Sequence, residues 1–286
     1  MEVRLNNGET IFYQKRDGGE DILLLLHGNL ASSVQWDILI EQLPLNYTIY
    51  APDLRGYGKS TYNNPIKTFN DFVTDIKLFC DELNLNTFHL IGWSNGGGVA
   101  MQFAANYPAR VDKLILLASM STRGYPAYNS DGERLQSREE FASDPMLNRM
   151  LNAQLQGEKS FFEAAMKHLM YPNNKPEKAR FEKYLEGALH QKNIVDVANA
   201  ANRFNLSLVS NGVIEGTGEL SNITAPVLVL WGKHDLMVLE AMTLELINDM
   251  KAHDINFVYK ALNTGHSPLV DDIDGVIVEI NQFLLK

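Results

Sequence analysis

The chain carries one cysteine, Cys80, so no disulfide can close within it and the fold must be held by its core. It also lacks any apolar run approaching the ~20 residues a bilayer-spanning helix requires. The apolar stretch Ile22–Leu26 has the length of a buried strand. Basic residues are in the minority, 25 against 35 acidic, for a net charge of −10. That balance works against a nucleic-acid partner and against docking on an anionic membrane. The opening stretch Met1–Thr10 is polar, with no basic segment leading into an apolar one, so no secretory leader is expected and a cytoplasmic location is. No Cys/His set has the spacing of zinc ligands, and neither metal nor cofactor is expected. Gly58-Lys59-Ser60 looks like the end of a phosphate-binding loop, but Asp53 stands where that pattern requires glycine. Neither internal repeats nor low-complexity tracts interrupt the chain.

What is present is an ordinary globular composition, 45% hydrophobic and 21% charged over 286 residues. That suffices for one large α/β unit with an insertion. Asn7-Gly8 between Val3–Leu5 and Thr10–Gln14 predicts a hairpin. Beyond it, strand-like runs at Ile22–Leu26, Tyr47–Ala51, Phe88–Ile91 and Lys113–Ala118 alternate with helical patterns. Trp36, Leu39, Ile40 and Leu43 share one helical face, and Phe69–Leu83 and Asn95–Tyr107 read as helices. Such alternation predicts a mostly parallel sheet with helices on both faces. From 121 to 218 it stops and the pattern is helical, broken at Pro126, Pro145, Gly157, Pro172 and Pro176. It resumes with Val227–Trp231, a helix near Leu239–Met250, a strand near Asn256–Tyr259 and a last helix near Leu269–Leu284. The organisation expected is therefore an α/β core in two parts, 1–120 and 219–286, with a helical cap inserted at 121–218.

Gly92-Trp93-Ser94-Asn95-Gly96 is a G-x-S-x-G turn placed directly after a predicted strand and before a predicted helix. A strand turning so sharply brings backbones together, which requires the glycines and leaves the serine exposed at the carboxyl edge of the sheet. A serine hydroxyl is a poor nucleophile and needs a base, for which histidine is best suited, and the histidine needs a carboxylate to fix its tautomer. Of seven histidines, His266 in Thr264-Gly265-His266-Ser267 lies in a loop between a late strand and the last helix. Asp235 follows the strand Val227–Trp231 through Gly232-Lys233-His234 and precedes the histidine, in the chain order Ser, Asp, His. Asp271 and Asp272 are assigned instead to the first turn of the last helix, where they favour its dipole. His234 is read as scaffold, and Cys80 as a core residue on an apolar helix face. The backbone N–H of Asn95, next after the nucleophile, is one expected oxyanion donor.

These segments together, with His27-Gly28-Asn29 and the run Pro52-Asp53-Leu54-Arg55-Gly56-Tyr57-Gly58-Lys59-Ser60, resemble the α/β-hydrolase superfamily, of the capped serine esterase kind. The resemblance covers nearly the whole chain outside the insertion. It implies an eight-stranded, mostly parallel sheet with flanking helices and an inserted helical cap. It also implies a second oxyanion donor, the backbone N–H of Asn29, with Leu30 as the alternative if the loop is offset by one, and a bracing role for His27, Asp53 and Arg55. Serine at 94 argues against the dehalogenase and epoxide-hydrolase branches, which use a carboxylate nucleophile. Leu30 and Trp93 are expected to line the substrate pocket. Methionines 146, 150, 166 and 170 either wall an apolar pocket or simply pack the cap, and Met166 and Met170 are the pair expected at the pocket. The function implied is hydrolysis of a small acyl substrate by a monomer or homodimer. Carbon–carbon bond hydrolase, thioesterase, lactonase and cofactor-free perhydrolase chemistries all use the same triad. A slow-turnover ligand-binding signalling protein on this fold is the alternative of another class.

Overall fold

The computed structural model describes residues 1–285. Eight strands form one sheet: β1 (Glu2–Arg4), β2 (Thr10–Arg16), β3 (Asp21–Leu26), β4 (Tyr47–Pro52), β5 (Phe88–Trp93), β6 (Val111–Leu117), β7 (Val227–Gly232) and β8 (Phe257–Leu262). Their order is β1-β2-β4-β3-β5-β6-β7-β8. The first hairpin pairs antiparallel and β2 is antiparallel to β4, while every pairing from β4 onward is parallel. Between the strands run α1 (Asp37–Gln42), α2 (Phe69–Glu82) and α3 (Asn95–Asn106). The stretch from β6 to β7 holds α4 (Arg138–Ser143), α5 (Pro145–Leu155), α6 (Lys159–Leu169), α7 (Lys178–Leu189) and α8 (Ile194–Arg203). After β7 come α9 (Glu240–Ala252), α10 (Pro268–Asp271) and α11 (Ile273–Leu284).

The central strands are apolar at successive positions because both faces are covered. On β3, Leu24 and Leu26 point into one core with Phe72 and Phe79 of α2 and Met101 and Phe103 of α3. Leu23 and Leu25 point into the other, with Leu39 of α1 and Val276 and Ile280 of α11. Met166 of α6 and Tyr184 of α7 join that second core, so the inserted helices share packing with the sheet layer.

The last helical stretch is not continuous, as the apolar spacing from Leu269 to Leu284 suggests. Asp272 leaves helical geometry (φ −154°, ψ 68°) and its carboxylate accepts the Gly275 N–H at 3.0 Å, so it caps α11. Asp271 also departs from its expected dipole role. Its Oδ2 accepts the Gly265 N–H at 2.7 Å, and Oδ1 accepts the Asn174 N–H at 3.0 Å. It thereby ties the loop carrying His266 to the inserted segment.

Strand register sets the positions of the loops that matter. Gly92 pairs with Leu26, Trp93 with Leu117, Leu117 with Leu230, and Gly232 with Leu262. The carboxyl ends of β3, β5, β6, β7 and β8 therefore form one rim. β3 leads on to β4 on one side, whereas its other neighbour β5 leads on to β6 on the opposite side, so a crevice opens between β3 and β5, where ligands bind in doubly wound sheets.

Candidate active site

Ser94 follows β5 with φ +56° and ψ −122°, a backbone state that costs a non-glycine residue of the order of 1–3 kcal/mol. Its neighbours maintain it. The Ser94 N–H donates to Leu117 O at 3.0 Å, and Ser94 O accepts from Gly97 N–H at 2.9 Å. The turn is possible only because side chains are missing around it. A Cβ on Gly92 would stand 2.4 Å from Gly96 O, and one on Gly28 would stand 2.8 Å from the Ser94 Cβ.

Asp235 leaves β7 and His266 follows β8. His266 Nδ1 lies 2.9 Å from Asp235 Oδ2, with both residues buried. The other carboxylate oxygen of Asp235 accepts the Met237 and Val238 N–H groups, each at 2.8 Å. A carboxylate can only accept, so Nδ1 carries the proton and Nε2 keeps its lone pair. The imidazole is fixed from behind by Trp93, whose indole N–H donates to His266 O at 2.8 Å and whose ring centroid is 5.6 Å away. No hydrogen bond joins His266 to the Ser94 hydroxyl. In unliganded hydrolytic sites this contact is commonly long and tightens with substrate. His234 faces outward, with Nε2 2.9 Å from Asn263 Oδ1.

The loop after β3 supplies the opposite wall. His27 accepts the Leu54 N–H on Nε2 at 2.9 Å, so its proton sits on Nδ1, 2.8 Å from Gly28 O. Burial pushes the His27 pKa below the ordinary imidazole value, against the pull of the Asp53 carboxylate. Asp53 accepts the Ser33 N–H at 2.7 Å and the Lys59 N–H at 2.8 Å, and Arg55 pairs with Asp75 through contacts of 2.7 and 2.5 Å. These braces hold the loop that carries Asn29 and Leu30. The Leu30 N–H is taken by Gln191 Oε1 at 2.9 Å, so it is not available as an oxyanion donor. Neither the Asn29 nor the Asn95 N–H has a hydrogen-bond partner among the described residues, and both residues border the same cavity.

That cavity, of about 330 Å³, opens above Ser94. Tyr125, Leu135, Phe141, Met150, Ile194 and Met237 are among the residues that enclose it. Among the described residues lining it, the one formal charge is Asp144, which caps α5 by accepting the Leu147 N–H at 2.8 Å. The pocket expectations need correction here. Met166 and Met170 are 1% and 3% exposed and lie in the second core beside Tyr171 and Tyr184, away from the cavity. Met146 and Met150 of α5 border it instead. Trp93 backs His266 from the core side, and Leu30 packs against the second core, so neither lines the cavity. Gln191, which holds Asn29 together with Tyr57, carried no signal in the sequence because it belongs to no local motif, and Tyr57, though within the run 52–60, had no role assigned. Among the described residues no group of three or more His, Cys, Asp or Glu side chains is placed to hold a metal ion, and no helix is long and apolar enough to cross a membrane.

This chain is similar to several known proteins. An uncharacterized protein of Mycobacterium tuberculosis is 33% identical over 102 residues, which is 36% of this chain and 30% of that protein. The chain thus spans under a third of that relative's length. Monoacylglycerol lipase of Mus musculus is 24% identical over 283 residues, covering 95% of this chain and 79% of the lipase. An esterase from Exiguobacterium antarcticum has the same fold, with a TM-score of 0.75 at 17% identity, over 100% of this chain and 99% of the esterase. A family profile described as the alpha/beta hydrolase fold matches residues 21–273. With the strand order, the strained serine turn and the carboxyl-end loops all in agreement with that match, this chain belongs to the alpha/beta hydrolase family.

Proposed function

We propose that this protein is a serine hydrolase that cleaves small, uncharged carboxylic esters through an acyl-enzyme, with residues 121–218 acting as a cap over the site. The observation that carries the reading is the buried Asp235–His266 pair at 2.9 Å, on the same rim as a serine held at φ +56°. In this reading Ser94 Oγ attacks the ester carbonyl carbon while His266 Nε2 takes the hydroxyl proton. The tetrahedral oxyanion accepts hydrogen bonds from the Asn29 and Asn95 N–H groups. Collapse of that intermediate breaks the ester C–O bond, and His266 returns the proton to the departing alcohol. Water then attacks the acyl carbon as His266 takes its proton; collapse breaks the C–Oγ bond, His266 returns that proton to Ser94 Oγ, and the carboxylic acid departs. Asp235 stabilises the imidazolium formed twice in the cycle. Attack, proton transfer and charge stabilisation are thus supplied by the chain itself.

The apolar cavity wall favours an acyl or alcohol group without charge, since burying an unpaired carboxylate there has no cation to compensate it. Asp144 adds repulsion toward anionic substrates. Ser94→Ala should abolish turnover of p-nitrophenyl butyrate and labelling by a fluorophosphonate. Retention of either by the pure variant would remove Ser94 as the nucleophile.

A further inference from the structure

Gln191 lies in the turn between α7 and α8, 3% exposed, and directs its whole amide at the loop after β3. Its Oε1 accepts the Leu30 N–H at 2.9 Å, and its Nε2 donates to Asn29 Oδ1 at 2.7 Å and to Asn193 Oδ1 at 2.8 Å. Asn29 Oδ1 takes a second hydrogen bond from the Tyr57 hydroxyl at 3.0 Å. The turn itself is anchored from both sides. Asn193 Nδ2 donates to Arg55 O at 2.8 Å, the Lys192 N–H donates to Gly56 O at 2.7 Å, and Gln154 Nε2 donates to Gln191 O at 3.0 Å.

One amide therefore grips two successive residues of the loop from 161 positions away in the chain. Leu30 has φ +52°, a left-handed state that strains a residue with a branched side chain and needs an outside hold. Gln191 is the partner of its N–H. With the Leu30 N–H and the Asn29 side-chain oxygen both occupied, the Asn29 backbone N–H stays unpartnered among the described residues on a residue that borders the cavity.

We propose that Gln191 is a positioning residue for hydrolysis: it fixes the loop after β3 so that the Asn29 N–H meets the oxyanion. The inserted helical block then belongs to the catalytic apparatus as well as covering it. This rests on the serine-hydrolase reading above. The oxyanion contact strengthens only as charge develops, so loosening the loop lowers kcat more than it raises KM.

The test uses Gln191→Leu and Gln191→Glu beside the unaltered protein. Leucine removes all three side-chain hydrogen bonds. Glutamate keeps the size and can still accept from the Leu30 N–H, but it cannot donate to Asn29, and its near-identical shape guards against a variant that fails to fold. With p-nitrophenyl butyrate, kcat should fall about 10- to 100-fold with KM within about twofold, a part of the roughly 10²–10³ attached to a whole oxyanion donor. Affinity for a trifluoromethyl ketone, which forms a tetrahedral oxyanion on the serine, should fall in parallel with kcat/KM. Affinity for a plain ketone of equal length should stay unchanged. A folded variant that keeps kcat within twofold overturns the proposal. So does a kcat loss that leaves trifluoromethyl ketone affinity intact, because that pattern belongs to general loosening. If the unaltered protein neither turns over the ester nor reacts with a fluorophosphonate at Ser94, the serine-hydrolase reading itself falls, and this inference with it.

Discussion

Asp235 divides its two oxygens between two tasks. One accepts the Met237 and Val238 N–H groups and locks the turn after β7, and the other accepts the hydrogen bond from His266 Nδ1–H. Asparagine at this position would keep its carbonyl oxygen on the two N–H groups, because its NH₂ cannot accept. The NH₂ would then face His266 Nδ1 and require a lone pair there. The imidazole would respond by moving its proton to Nε2, the atom that receives the serine proton in the proposed mechanism. Asp235→Asn should therefore lower kcat by about 10³–10⁴ with the loop geometry preserved. Steady-state kinetics beside a thermal melt check this. A drop smaller than tenfold in a folded variant would mean that Asp235 does not set the tautomer.

At the scale of elements, periodicity identified most strands and helices, because the pattern reports burial on one face or two. Together with the G-x-S-x-G turn, it put Ser94, Asp235 and His266 after the carboxyl ends of strands, where the structure has them, following β5, β7 and β8. It picked the wrong one of two methionine pairs of equal spacing: Met166 and Met170, on α6 and its end, were expected at the pocket, but Met146 and Met150 on α5 border it. An i, i+4 pair shares a helical face, but which body that face meets is decided by packing between helices. Gln191 was invisible for a related reason, since its partners lie in the loop after β3 and no local spacing encodes them. The methionines now separate by experiment. Met150→Ala should enlarge the cavity and raise kcat/KM for p-nitrophenyl octanoate relative to acetate. Met166→Ala should leave that ratio unchanged and instead cost about 2–5 kcal/mol in denaturant unfolding, as a core truncation does. A shift in chain-length preference from Met166→Ala alone would place the pocket wall wrongly.

At the scale of the whole molecule, the site is assembled by buried polar residues that brace loops from distant parts of the chain, and their protonation couples the fold to pH. His27 is the clearest case. It holds the Leu54 N–H on Nε2, so protonation there breaks that contact, and burial lowers its pKa below the ordinary value despite nearby Asp53. An unfolded histidine titrates near 6.5. Just below that pH the unfolded chain binds a proton that the folded protein refuses, so unfolding is favoured as pH falls. His89, also lowered by burial, acts in the same sense. Asp75, raised by burial against the pull of Arg55, works oppositely, while Glu9, lowered by hydrogen bonds from Thr61, Asn63 and Asn64 that outweigh the upward push of burial, loses stability on acidification. Both carboxylates start from unfolded values near 4, below the histidine window. Between pH 6.5 and 5.5 the imidazoles therefore govern, and the lowered His27 makes the folded state less stable as the pH falls. His27→Gln removes the titration while its amide can still accept from Leu54 and donate to Gly28. Urea unfolding at pH 7.5 and 5.5 should show a smaller acid-induced drop for the variant, even if it starts from a lower value at neutral pH. Equal drops for the two proteins would mean that the His27 imidazole does not couple the fold to pH.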